Sequence, residues 1–312
     1  MPDLPVTVSA AWAPLAAALL GMLALGAAAL DGAISARTAQ LPRSRGATRP
    51  MDEAARLVRQ RRRTTVAADT LLWRIGATGL VLAALLMVVV VPLGRWTLLD
   101  LDVGVVWFNA VDVAVWALVW LAGWGPNSAY PLVGGYRFLA QALGYELPLM
   151  FALVGPAIAA ASLNVGTIAA AQESLWYVVQ MPVAFLGYCL GVVAFSVWGP
   201  FAAALGRDLG GGVAAELSGV DRLVFEAGRY GLLAAGSAFA VPMFLAGGAG
   251  PVLPDWSWML IKTAALLAVL VWLRRRLPTA RPDLFLEVGW LVLLPLVLVQ
   301  DLVVAVIAVG RG

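Results

Sequence analysis

Four ionisable side chains stand inside long apolar stretches of this 312-residue chain: Asp112, Glu146, Lys262 and Asp301. A charge at the centre of a hydrocarbon layer costs roughly 2.5–3.5 kcal/mol, so such a residue is kept where it faces a protein interior or a wet cavity. A carboxyl group placed there can bind and release a proton, which makes Glu146 and Asp112 candidates for proton handling. Other readings stand beside this one. Glu146 reads equally as a structural carboxylate bonded to a neighbouring helix, or to Gln141 or Arg137 on its own. Asp112 reads also as a pocket-facing or paired acid, Lys262 as a side chain snorkelling to the near interface, and Asp301 as half of a structural pair.

The elements that must position these groups are legible from composition. Hydrophobic residues make up 62% of the chain and charged ones 12%, with a mean hydropathy of +0.89. That exceeds what the core of a soluble domain needs and implies a polytopic membrane protein. The apolar runs lack the two-residue alternation of an outer-membrane barrel, so the fold class expected is an all-α membrane bundle. One cysteine, Cys189, and the absence of histidine exclude disulfides, cysteine-ligated clusters and histidine-ligated metals within the chain. Any redox centre would lie in another subunit.

About eight spans are expected, near residues 8–30, 71–93, 103–124, 138–161, 175–198, 230–247, 258–273 and 288–309, each close to the length a bilayer requires. The whole of 1–312 reads as one membrane domain, with loops near 31–70, 124–137, 199–229 and 274–287. Residues 1–6 carry Asp3 and no basic residue, unlike the start of a cleaved signal peptide. If the N-terminus lies outside, eighteen of the twenty arginines fall on the cytoplasmic side and only Arg95 and Arg311 do not, as the positive-inside rule demands. Trp73, Trp124, Trp176, Trp198, Trp256, Trp258 and Trp290 fall near span ends, where interfacial anchors belong. In the first loop Met51, Ala54, Ala55 and Val58 recur at helical spacing opposite Asp52, Glu53, Arg56 and Arg59. This predicts a short amphipathic helix lying in the membrane interface, or else a solvated basic loop held near anionic lipid. Gly210, Gly211 and Gly212 lack the lysine of a phosphate loop and read as flexible loop.

Many short elements, in order, then carry a resemblance. Gly123-Trp124, Asn127, Tyr130, Gly134, Arg137, Gln141 and Tyr145-Glu146-Leu147-Pro148 resemble the third-to-fourth helix region of the H subunit (subunit 1 in mitochondria) of NADH:quinone oxidoreductase, respiratory complex I. Residues 100–104 look like that family's DLNVG, 162–164 like its SLN and 216–219 like its EYSG. Trp258, Lys262-Thr263, Trp272-Leu273-Arg274, Leu277-Pro278, Arg281, Asp283, Gly289-Trp290 and Leu294-Pro295 follow its later elements. The resemblance covers residues 71–312 with good specificity and the first seventy loosely.

The resemblance implies eight tilted helices with the N-terminus outside, in a bacterial plasma membrane. It implies a subunit that joins the membrane arm to a peripheral arm carrying iron–sulfur clusters, that binds no cofactor or metal itself, and that helps frame a chamber for the quinone substrate. Partners would be the other membrane-arm and peripheral-arm subunits and lipid, with no nucleic acid. By the same resemblance Glu146 and Glu216 are proton-relay candidates, and Arg137, Tyr145, Pro200, Phe201, Asp208 and Arg229 are quinone-chamber candidates; Asp112, mid-span where the family often has a small polar residue, is a third relay candidate that would restore a missing carboxylate. Lys262 would belong to the polar axis, and the amphipathic segment 51–63 to the chamber mouth.

The chain also departs from the family. The cytoplasmic loop that typically reads NRAPFDLPEAESELVAG is replaced at 198–212 by a stretch that keeps only Pro200-Phe201, its cluster of carboxylates having become Ala, Leu, Gly and one Arg207-Asp208 pair. Gly228-Arg229-Tyr230 stands where the family usually has A-E-Y, and Asp31-Gly32-Ala33 where many members have E-R-K. Deleting several carboxylates together leaves a gap in a proton path, because each must be near enough to share a proton with the next. Arg229 buried beside Glu216 or Glu226 would make a fixed salt bridge rather than a relay. Retained coupling and a purely scaffolding role both stay open. So do a related complex with a hydrogenase-like, ferredoxin- or formate-linked arm, and a free-standing ion or small-molecule transporter using Glu146 and Asp112, although no internal repeat supports the last.

Overall fold

A computed structural model describes residues 5–40, 42–173 and 175–311. A two-residue strand, β1 (Val6–Thr7), leads into α1 (Ala13–Thr38), followed by α2 (Arg43–Arg59) and α3 (Thr70–Val88). A turn carrying β2 (Trp96–Thr97), parallel to β1, precedes α4 (Gly104–Trp124), α5 (Ala129–Ala160), α6 (Val165–Ala170), α7 (Tyr177–Gln180) and α8 (Pro182–Phe195). After three short 3-10 turns within 203–214 come α9 (Gly219–Phe244), α10 (Asp255–Leu273) and α11 (Pro282–Val288). A π-helical stretch at Gly289–Leu293 joins α11 to α12 (Leu294–Arg311).

Every expected span coincides with a helix, and the chain is an all-α polytopic membrane protein. Six helices among the described residues are long and apolar enough to cross a membrane. The other two expected spans differ for physical reasons. The stretch 175–198 is broken at Pro182, whose ring fits only the first turn of a helix, leaving α8 with 14 residues or about 21 Å. The stretch 230–247 is the second half of α9, whose first half carries Asp221, Arg222, Glu226 and Arg229. Likewise α5 starts at Ala129 rather than 138, so much of the expected loop 124–137 is helical.

The bundle is built around α9. Its residues 231–244 are all buried, because that half is apolar on every side and has no face to offer water. α3, α1, α8 and α10 pack around it. Small residues set the close approaches: a Cβ added to Gly228 would lie 2.5 Å from Leu80 Cβ. By contrast α1 and the segment Pro282–Gly310 are only 17% buried, and their outer faces belong to lipid or to partners.

The amphipathic helix is present, but it starts earlier than read and ends at Arg59 rather than 63. Its packed face is Gly46 and Leu57, against α1 and α9, while Met51 and Val58 are turned outward. The expected apolar face is therefore the free one, as an interfacial helix requires. Its far end is fastened to the start of α9: the Arg63 backbone N–H donates to Ser218 Oγ at 2.8 Å, and Arg62 pairs with Asp221 at 3.3 Å.

Residues 199–218 correct the flexible-loop reading. Gly211 N–H donates to the Gly206 carbonyl at 3.0 Å, and Gly212, at φ +55°, lies hard against Ala204. These turns sit on α5 at Gly134, where an added Cβ would stand 2.6 Å from Val213 N and 2.7 Å from Ala204 O. Gly134→Ala is accordingly expected to lift the turns from α5 and destabilise the fold by about 1–3 kcal/mol, seen as a lower thermal midpoint and faster trypsin cleavage after Arg207. Unchanged cleavage would show that the packing is looser than described.

Candidate functional site

Among the described residues, two of the polar clusters inside the bundle gather candidate side chains. The first is between α4 and α5. Asn109, Asp112 and Trp116 recur at i, i+3 and i+7 and so share one face of α4. That face meets Tyr145 and Glu146 of α5. Asn109 Nδ2 donates to Glu146 Oε1 at 3.4 Å, and the Trp116 and Tyr145 rings meet edge to face at 6.4 Å. Asp112, with no solvent exposure, interacts with both Glu146 and Tyr145. Among the described residues, neither carboxyl oxygen of Asp112, nor Glu146 Oε2, Tyr145 Oη or Trp116 Nε1, makes a hydrogen bond of good geometry, although these groups lie near enough to interact with one another. Two carboxyl groups, a phenol and an indole N–H thus converge in one buried place, which is the donor and acceptor set that ordered water joins.

The structure separates Glu146 from the partners proposed on its own helix. Gln141 Nε2 instead donates to the Ala194 carbonyl at 2.8 Å, and Arg137 pairs with Asp208 at 2.7 Å. Asp112 is the acid that faces Glu146, although 34 residues separate them. Asn109 and Trp116 were missed from sequence. Their signal was the helical register they share with Asp112.

The second region is at the basic end of the bundle, where α2, the 203–214 turns and residues 274–281 gather. Asp31, 6% exposed, accepts from Arg274 Nη1 at 2.9 Å and from Arg275 Nε and Nη2 at 2.9 Å, with Tyr230 Oη at 3.5 Å. The Trp198 ring lies between two cations, 4.2 Å from Arg274 and 5.7 Å from Arg229. Arg229 is buried, pairs with Glu226 at 2.6 Å and donates to the Val197 carbonyl at 2.6 Å. Of the two partners considered for it, Glu226 is the one it meets. Glu216 instead accepts from Ser128 Oγ at 3.1 Å. The Phe201 and Phe285 rings lie 4.1 Å apart, tilted by 35°, and the Pro200 carbonyl accepts from Ala280 N–H at 2.9 Å. The Arg137 guanidinium hydrogen-bonds Asp208 and holds its carboxyl below the ordinary value of 3.8. This tether is therefore fully present above that value and is lost only as pH falls through the lowered one. The Asp31 hub was legible only as a departure from the family; its two arginine partners lie more than 240 residues away.

Lys262 stands apart from both. Its ammonium donates to the carbonyls of Leu245, Gly247 and Ala249 at 2.7, 2.9 and 2.8 Å, and sits 4.3 Å from the Trp176 ring. One donor meets the carbonyl of Leu245, which caps the end of α9, a cation where the helix dipole favours one, and the other two meet carbonyls of the turn that follows. Among the described residues it pairs with no carboxylate, so the geometry gives it a capping position. Lys262→Met is expected to cost about 1–3 kcal/mol by leaving those carbonyls unmatched, read as a lower midpoint in thermal unfolding; no loss would show that water replaces the ammonium.

Residues 9–305 match the family model described as NADH dehydrogenase. A relative from Cereibacter sphaeroides, the second of that organism's NADH-quinone oxidoreductase H subunits by name, is 39% identical over 221 residues, 70% of this chain and 69% of that protein. The chain belongs to the family of NADH-quinone oxidoreductase H subunits. A Geobacter sulfurreducens protein, likewise named as a second H subunit of NADH-quinone oxidoreductase, is 33% identical over 270 residues, 83% of this chain and 82% of its own length. The NADH-quinone oxidoreductase H subunit of Geobacillus kaustophilus is 35% identical over 214 residues, 67% and 64% of the two. The family match begins at residue 9, so it takes in the first span and the basic loop, where the sequence resemblance was loose. Membership of this family also accounts for a bundle whose outermost helices are left largely uncovered.

Proposed function

We propose that this chain is the membrane subunit of a complex I-like NADH:quinone oxidoreductase, in which it helps frame the quinone chamber and joins the redox arm to the proton-translocating arm. The observation that supports it most is the family match across residues 9–305, joined to a bundle that keeps two facing carboxyl groups in its interior. With no histidine and a single cysteine, the chain has no set of ligands for a cysteine-held cluster or a histidine-held metal or haem. Its part is to hold and orient, and electrons pass through other subunits.

The basic end is the chamber side in this reading, with the N-terminus outside. Phe201 and Phe285, buried against each other, and the buried Trp198, within reach of the Arg229 and Arg274 guanidinium groups, stiffen this end from within. Glu226 is ion-paired with Arg229, and Glu216 accepts a hydrogen bond from Ser128 and keeps its place as a relay candidate. Protons are handled at Asp112 and Glu146, with Tyr145 between them and the Trp116 face. Asp112 thus stands in for carboxylates that the altered loop has lost.

Purification of the tagged chain from native membranes in mild detergent, with mass spectrometry of what accompanies it, tests the assignment. Cluster-bearing, NADH-oxidising and antiporter-like subunits are expected together. A chain that runs alone in several detergents contradicts it.

A further inference from the structure

At the end of the bundle opposite the basic one, α1, α3, α9 and α10 enclose a cavity of about 570 Å³. Its walls are almost wholly carbon, from Leu15, Leu19, Leu20, Val91 and Met259, and three tryptophans, Trp12, Trp96 and Trp256, stand among its lining. A second apolar groove of about 510 Å³ continues it between α1 and α10, sharing Leu19, Leu23 and Leu260. From Trp12 to Leu23 the first cavity follows eleven residues of chain, about 17 Å at helical rise. One leaflet of a bilayer core about 30 Å thick is close to that depth.

The rim carries charge of both signs. Arg95 precedes Trp96 and is exposed; among the described residues its guanidinium has no ion-pair partner. Asp255 precedes Trp256, is also exposed and equally unpaired, and its Cβ would stand 3.0 Å from a Cβ added to Gly94, the neighbour of Arg95. Arg95 and Asp255 are not in the lining itself, but each is exposed next to one of its tryptophans, at the level where indole rings seat at a membrane interface. A quinone head has no charge for either group. An anionic glycerol headgroup suits Arg95 but meets repulsion at Asp255.

We propose that this cavity holds one acyl chain of a zwitterionic phospholipid of the phosphatidylethanolamine type, with its phosphate on Arg95 and its ammonium on Asp255. The lipid fills the gap between α1 and α10 and fastens α1, which the protein itself covers poorly.

The test uses the whole complex purified from native membranes, with phosphatidylethanolamine, phosphatidylglycerol and a quinone as competing probes and bound molecules counted by mass spectrometry. Comparing variants within one complex cancels lipid held elsewhere. Ala16→Trp, which fills the cavity, is expected to lower retained phosphatidylethanolamine at this chain by about tenfold, the loss of burial for a few methylenes. Asp255→Asn, at an exposed position that leaves the cavity intact, is expected to abolish the preference for ethanolamine over glycerol headgroups, and Arg95→Gln to weaken both. Equal retention in Ala16→Trp, displacement by the quinone, or an unchanged headgroup preference in both rim variants would overturn the proposal.

Discussion

Replacing Asp31 with asparagine is expected to destabilise the chain by about 2–3 kcal/mol, at or just under the lower bound of what breaking a buried ion pair costs, because both arginine partners are partly exposed. The loss comes less from the missing attraction than from what remains. Arg274 and Arg275 would be left beside each other, with Arg229 close by over the same Trp198 ring that Arg274 meets. Arg275→Gln removes one of the two partners and should cost distinctly less than Asp31→Asn. The double variant should be milder than the sum of the two, since it removes the stranded cation along with its anion. Thermal unfolding of the detergent-solubilised protein checks this order. If Asp31→Asn proved neutral, the hub would hold nothing together, and the packing of α1 against the 274–276 segment would have to rest on apolar contact alone.

The second large effect concerns Glu146. Glu146→Gln removes the titratable proton and nearly keeps the shape, so the complex should assemble and reduce quinone. Proton transport coupled to that reduction is expected to fall by about tenfold or more, at or below the usual range for a lost acid–base group. Asp112→Asn should do nearly the same, and the double variant should be scarcely worse than either, because groups that act as one unit do not add. Strict additivity would mean that the two carboxyls work separately, and an Asp112→Asn protein with normal transport would return Asp112 to a structural role.

What the sequence showed and what it hid divide along physical lines. The spans were legible because a bilayer imposes length and apolarity on each of them separately. Glu146 and Asp112 were visible as acids in apolar runs, but their pairing was not, since it depends on which faces of α4 and α5 turn toward each other. Arg229 beside Glu226 was foreseeable because three residues on a helix bring side chains together. Asp31 with Arg274 and Arg275 was not, because nothing local says which loops meet. The triple glycine at 210–212 looked like slack. Its actual use at Gly212 is a backbone shape that a close carbonyl requires, and flexibility and close packing write the same residue. On α2 the outward apolar residues Met51 and Val58 were found, whereas the buried Gly46 and Leu57 were not, since a periodic stripe does not say whether protein or lipid receives it.

Whether a chain with so altered a loop still couples decides what Asp112 and Glu146 are for. The most direct measurement is the external pH change per quinone reduced when the purified wild-type complex, sealed in liposomes, oxidises NADH. The expected result is proton movement in fixed proportion to quinone reduced, collapsing on addition of an uncoupler and largely absent in Glu146→Gln at the same reduction rate. Steady quinone reduction with no proton movement in the wild type would contradict it, and would leave Asp112 and Glu146 as structural acids of a scaffold.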